Sequence, residues 1–172
     1  MDEIAMERLF RQEYRRLFNV LLRRVWNQAI ADELTQESFL RLWQIRSTIR
    51  METVTPLLFR IGLNLARRHR YREGLRAALP WHAGRDLHGE EPSSPVDQRF
   101  TAESKSLANV AIEALPGRYR EVILMTELAG MDYRDVAVAL RIREGTVASR
   151  RHRALDKLSR ILREKGYELD QR

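Results

Sequence analysis

The chain has 172 residues, 44% hydrophobic and 8% aromatic, enough to bury one medium core or two small ones, which excludes disorder throughout. It contains no cysteine, so disulfide scaffolds, thiolate metal sites and cysteine nucleophiles are excluded together, as suits a reducing compartment. The formal charge is +7, and taking Lys105, Lys157 and Lys165 from the 31 basic residues leaves 28 arginines. Arginine suits bidentate phosphate and guanine contacts, so a polyanion is the expected partner.

From Ile4 to Val25, Met6, Leu9, Phe10, Tyr14, Leu17, Phe18, Leu21 and Val25 recur at three- and four-residue steps and predict a long amphipathic helix. A second helix is expected from about Asp32 to Arg46, with Leu34, Phe39, Leu42, Trp43 and Ile45 on its apolar side. Thr55-Pro56 reads as an N-cap and first position, opening a third helix that ends near Arg72. Between residues 77 and 104 lie Pro80, Pro92 and Pro95, with no helical period and a formal charge of −3 (Asp86, Glu90, Glu91, Asp97 and Glu103 against Arg85 and Arg99). This stretch is expected to be a flexible acidic linker between two basic domains, residues 1–76 and 105–172.

Beyond the linker, Leu107 to Ala114 has helical spacing, Pro116-Gly117 breaks it, and a further helix is expected from about Arg118 to Leu128. Gly130 ends that helix, Asp132 caps a short amphipathic one over Tyr133 to Leu140, and Arg141 to Glu144 form a tight connection. The last helix opens near Gly145-Thr146 and runs to about Lys165. Two helices joined by a short turn, the second the more basic, predict a helix-turn-helix reader of duplex DNA. The fold class expected is all-α, in two small helical domains.

Three helix faces are candidate sites. On the last helix, Val147, Ala154, Leu155, Leu158, Ile161 and Leu162 point inward, which leaves Ser149, Arg150, His152, Arg153 and Lys157 outward near the start, where a recognition helix meets base edges. On the third, Arg60, Asn64, Arg67, Arg68 and Tyr71 share a face opposite Leu58, Ile61 and Leu65. A basic stripe with one amide and one aromatic suits single-stranded nucleic acid. On the second, Glu33, Gln36, Glu37, Leu40 and Gln44 make an acidic and amide surface around one leucine, suited to a basic protein partner. His69, His82, His88 and His152 are scattered, and no phosphate loop, nucleophile elbow or paired carboxylates occur, so no enzymatic activity, metal or cofactor is expected. The N-terminus, Met1-Asp2-Glu3, is acidic where a secretory signal is basic, and no stretch approaches the roughly 20 apolar residues of a membrane span. A cytoplasmic protein with no membrane insertion is expected.

Asp32-Glu33-Leu34-Thr35-Gln36-Glu37-Ser38-Phe39-Leu40-Arg41-Leu42-Trp43 resembles region 2.2 of the extracytoplasmic-function (ECF) sigma factors of bacterial RNA polymerase, and Leu58 to Ala66 resembles the end of region 2.3 and region 2.4. Leu115 to Val122 and Gly145 to Arg150 resemble the start and the recognition helix of region 4. The resemblance implies that Glu33, Gln36, Glu37 and Leu40 dock on the β′ clamp helices of core polymerase, with the β flap as a further contact. It also implies that Asn64 and the loop from Arg50 to Thr55 capture an extruded base of the minus-ten element as single strand. Ser149, Arg150, His152 and Arg153 are implied to read the minus-thirty-five duplex, and an anti-sigma factor is an implied partner.

Three residues depart from the family pattern. Leu57 replaces a common tryptophan, so strand opening is expected to lean on Phe59, on other residues or on the polymerase. Ala148 replaces a longer side chain. Arg151 replaces leucine or isoleucine, and its guanidinium is expected to reach solvent or phosphate. The Leu57-Leu58-Phe59-Arg60-Ile61 run is similar to the iron-starvation subgroup. A stand-alone helix-turn-helix regulator, with residues 1–76 used for dimerisation or sensing, and a helical adaptor working through the Glu33 to Gln44 face remain alternatives.

Overall fold

The computed structural model describes residues 1–77 and 102–164. These form seven α-helices: α1 (Glu3–Val25), α2 (Gln28–Gln44), α3 (Val54–Ala77), α4 (Ala102–Ala114), α5 (Gly117–Ile123), α6 (Tyr133–Leu140) and α7 (Glu144–Glu164). The chain divides into two compact units, one holding residues 1–77 and the other nearly all of residues 102–164. The all-α, two-unit expectation agrees with this.

In the first unit α1, α2 and α3 pack against one another around Leu17, Val20, Leu21, Leu42, Leu58, Phe59 and Leu63, each at most 1% exposed. An aromatic row knits α1 to α2, with Phe10 and Phe39 ring centroids 4.9 Å apart and Phe10 and Tyr14 4.8 Å apart. Where the three helices converge there is no room for a side chain: a Cβ on Gly62 of α3 would meet Leu17 Cδ1 of α1 at 2.9 Å and Ser38 Oγ of α2 at 3.2 Å. Glycine at this point sets how closely the helices approach.

Several boundaries differ from the sequence reading. Helix α2 begins at Gln28, four residues before Asp32, because Asn27 is its N-cap and accepts from the Ile30 N–H at 3.0 Å. Helix α3 begins at Val54, so Thr55 and Pro56 lie inside its first turn, where the missing proline N–H still costs no hydrogen bond. It also continues to Ala77. Of the expected linker, residues 78–101 lie outside the described residues, and Ala102 to Ser104 belong to α4. Ile45, assigned to the α2 core, is 41% exposed.

In the second unit α7 packs on α4 and α5, around Leu115, Tyr119, Ile123 and Ala154. The helix expected over Arg118 to Leu128 is two pieces: α5, then a π-helical turn over Leu124–Leu128 in which Ala129 N–H reaches the Leu124 carbonyl at 3.0 Å. Gly130, at φ +62°, ends it as expected. The turn from α4 into α5 is held by Arg120, only 7% exposed, which pairs with Glu113 at 2.9 Å and donates to the Leu115 carbonyl at 3.0 Å and to the Glu113 carbonyl.

Candidate nucleic-acid and protein interfaces

The helix-turn-helix is set by local backbone chemistry. Asp132 caps α6, accepting from the Asp135 N–H at 2.7 Å, and Arg141 closes it in the left-handed region at φ 55° with its N–H on the Ala137 carbonyl. Thr146 and Val147 N–H groups then bond to the Arg143 carbonyl, which starts α7. Val147 and Ala154 anchor α7 inside, while Ser149, His152 and Arg153 are exposed and Arg150 and Lys157 are half-buried. The five predicted residues therefore do share the accessible side, with one addition: His152 lies 3.5 Å from Asp156.

Arg151 behaves differently from the expectation. Its Nε donates to Glu127 Oε1 at 2.6 Å, and Thr126 Oγ1 lies 2.9 Å from the same oxygen. The Arg151 hydrogen bond holds the Glu127 carboxyl below its usual pKa, against the opposing pull of burial. The guanidinium is thus held by a carboxylate on the π-helical turn, 24 residues away in sequence. Helical spacing gives no sign of that pair.

On α3 the stripe is accessible. Asn64, Arg67, Arg68 and Tyr71 are exposed, Tyr71 to 70%, and Arg60 is half-buried. Arg67 donates to Asn64 Oδ1 at 2.8 Å, which fixes the amide and leaves its NH2 directed away from that contact. Phe59 is 0% exposed and sits among the core side chains, so it offers no ring for strand opening. Of the three supports expected for strand opening, burial speaks against Phe59 alone: α3 packs against two helices, and its buried arc takes in Phe59 as well as Leu58. The segment before α3 forms a 3-10 turn over Met51–Thr53, with Arg50, Met51, Glu52 and Thr53 all exposed.

On α2, Glu33, Gln36, Leu40 and Gln44 are exposed, Leu40 to 58%, and Glu37 is half-buried in an ion pair with Arg41 at 2.6 Å. Sequence reasoning missed how this face is fastened. Tyr14 of α1 donates to Asp32 Oδ1, and Gln36 Nε2 donates to Asp32 Oδ2 at 2.8 Å. Burial first, then the Asp32 carboxylate, push the Tyr14 phenol up to about 12. The i, i+4 spacing of Asp32 and Gln36 was the available signal.

Comparisons with known proteins agree with this geometry. The family profile described as Sigma-70 region 2 matches residues 9–76, and that described as Sigma-70, region 4 matches residues 108–158. The chain is 30% identical over 168 residues to the ECF RNA polymerase sigma factor SigE of Mycolicibacterium smegmatis, covering 91% of this chain and 62% of that protein. It is 30% identical over 136 residues to the RNA polymerase sigma factor NccH of Alcaligenes xylosoxydans xylosoxydans, covering 76% of this chain and 72% of that protein. Its fold is similar to that of the sigma factor RpoE solved in complex with the anti-sigma factor NepR from Bartonella quintana, at TM-score 0.75 and 19% identity over 96% of this chain and 98% of that one.

Proposed function

The chain belongs to the ECF family of RNA polymerase sigma factors, which direct promoter-specific transcription initiation, and from that premise we propose how its surfaces divide the work. The α2 face of Glu33, Gln36, Glu37 and Leu40 docks on core polymerase, with the exposed leucine as apolar anchor and the acidic and amide groups around it meeting a basic helix pair. The α3 stripe holds the unpaired minus-ten strand: Arg60, Arg67 and Arg68 follow phosphates, Tyr71 stacks on a base, and the Asn64 amide meets a base edge. Ser149, Arg150, His152, Arg153 and Lys157 of α7 engage the minus-thirty-five duplex. An anti-sigma factor covering these surfaces, and a cytoplasmic site of action, complete the reading.

The observation that carries it is an acidic and amide face around a 58% exposed leucine, on a chain of charge +7, within the stretch matched by the region 2 profile. A protein that bound only nucleic acid has no use for such a face. In vitro transcription with core polymerase tests it. Glu37→Lys is expected to abolish co-purification with the core and all chain-dependent transcripts while circular dichroism stays unchanged; normal transcription by that variant would refute the docking assignment.

A further inference from the structure

Arg151 stands on the inner side of α7. At about 100° per residue it lies about 40° round the helix from Val147, which is fully buried, and about 160° from the exposed Ser149. An arginine so placed needs a partner on the protein side, and Glu127 supplies it: Arg151 Nε donates to Glu127 Oε1 at 2.6 Å, with the two side chains 34% and 42% exposed. The hydrogen bond to Glu127 and then its charge raise the Arg151 pKa against burial, and Tyr133 of α6 adds to the rise. Glu127 lies within the π-helical turn over Leu124–Leu128, where one extra residue in the turn alters the direction in which side chains leave the helix. The cations of α7 are thereby divided. Among the described residues no carboxylate pairs with the outward Arg150, Arg153 or Lys157, whereas the inward Arg151 is tied to one.

An arginine stem is long enough to swing past the flank of its own helix, and a guanidinium released in this way meets whichever phosphate lies nearest. Phosphate contacts carry no sequence information, and they supply essentially all of the binding to unrelated DNA. Where base contacts fix the register, the outward cations already face the backbone and a further loose one adds little. On unrelated sequence the register is free, and the same loose cation gains a contact. We infer that Glu127 is a specificity-determining residue for promoter recognition: it holds Arg151 against the π-helical turn and keeps that charge off the DNA backbone, so that binding to unrelated duplex stays weak. Glu127 meets no base itself. It is a positioning residue that acts through Arg151, and its role rests on the proposed minus-thirty-five reading by α7.

The test uses holoenzyme assembled from the full chain and core polymerase. Its binding is followed across salt concentrations on a duplex that the wild type selects from a library randomised at the minus-thirty-five position, and on an unrelated duplex. The core is the same in every sample, so differences between variants belong to the chain. Glu127→Ala is expected to tighten binding to the unrelated duplex about three- to tenfold and to steepen the slope of log affinity against log salt by about one, as one added phosphate contact requires. Binding to the selected duplex should change by less than about twofold, so the preference falls. Glu127→Gln keeps an acceptor oxygen but loses the charge; its gain should be smaller, and it carries the test alone if Glu127→Ala does not fold. Arg151→Ala should leave both affinities and the slope unchanged, and Glu127→Ala added to it should have no effect. Unchanged binding and slope for both Glu127 variants would overturn the inference. So would a gain that persists in the Arg151→Ala background, which would assign it to repulsion between Glu127 and DNA, or a shallower slope for Arg151→Ala, which would make Arg151 a phosphate contact of the native chain. A wild type that selects no sequence from the library would overturn the reading role of α7 and the inference with it, and that result is seen before any variant is made.

Discussion

The neighbours that a Cβ on Gly62 would meet differ in how well they can yield. Leu17 Cδ1, at 2.9 Å, is the end of a flexible side chain, whereas Ser38 Oγ, at 3.2 Å, is tied to the Leu34 carbonyl at 2.6 Å. Replacing a mid-helix glycine with alanine gains about 1 kcal/mol of helix propensity, while overpacking a close helix contact costs about 1–3 kcal/mol. Gly62→Ala is expected to lower the stability of the first unit by about 1 kcal/mol and Gly62→Val by more, read as the urea midpoint. A rise for Gly62→Ala would show that Leu17 and Ser38 can both move. Tyr14 gives a second expectation. Its folded pKa of about 12 lies above the ordinary value of 10.0, so the protonated phenol stabilises the fold fully below pH 10, and that contribution is lost as pH climbs towards 12. The stability gap between wild type and Tyr14→Phe should therefore close over that interval. In a tyrosinate absorbance titration Tyr14→Phe should remove an ionisation near 12, and Tyr119→Phe one below the ordinary value of 10.0.

Helix α2 shows what a sequence does and does not make legible at the level of an element. Its apolar positions, Phe39 and Leu42, declare the helix and its buried side, but the start was misread because the first turn, Gln28 to Ala31, is only weakly patterned. The start is set instead by one side-chain bond, Asn27 to the Ile30 N–H. Asn27→Ala is expected to cost the first unit about 1 kcal/mol, and a loss within error would mean that packing against α1 alone fixes the entry. The π-helical turn at Leu124–Leu128 was illegible for a different reason. One extra residue per turn leaves composition and approximate periodicity unchanged, so only the Ala129 to Leu124 bond reveals it. The error at Phe59 has the same root: a single-stripe reading suits a surface helix, and α3 buries a wider arc that includes Leu58, Phe59, Leu63, Leu65 and Ala66. Of the candidate surfaces, the exposed members could be named from period alone. Their fastenings could not, because Tyr14 to Asp32 and Arg151 to Glu127 join residues on different elements.

Across the whole molecule the candidate faces differ in the sign of their charge. The acidic α2 face and the basic faces of α3 and α7 belong to a chain of net charge +7, and the order of the two profile matches along it, region 2 and then region 4, is that of the ECF sigma factors. Faces of opposite sign attract partners of opposite charge and so speed different encounters. If the α2 and α3 faces serve different partners, variants on them must fail at different steps. Asn64→Ala combined with Tyr71→Ala removes an amide and a 70% exposed ring from α3 and touches no residue of the α2 face. Loss of one base-stacking contact is worth about 1–3 kcal/mol, so permanganate reactivity of the opened start site should fall roughly tenfold or more. Assembly with core polymerase, followed by gel filtration, should be unaffected. Glu37→Lys should instead lose assembly, and reactivity with it. If the double variant lost assembly but kept reactivity per assembled complex, α3 would be a polymerase contact and the assignment of the unpaired strand to it would be wrong.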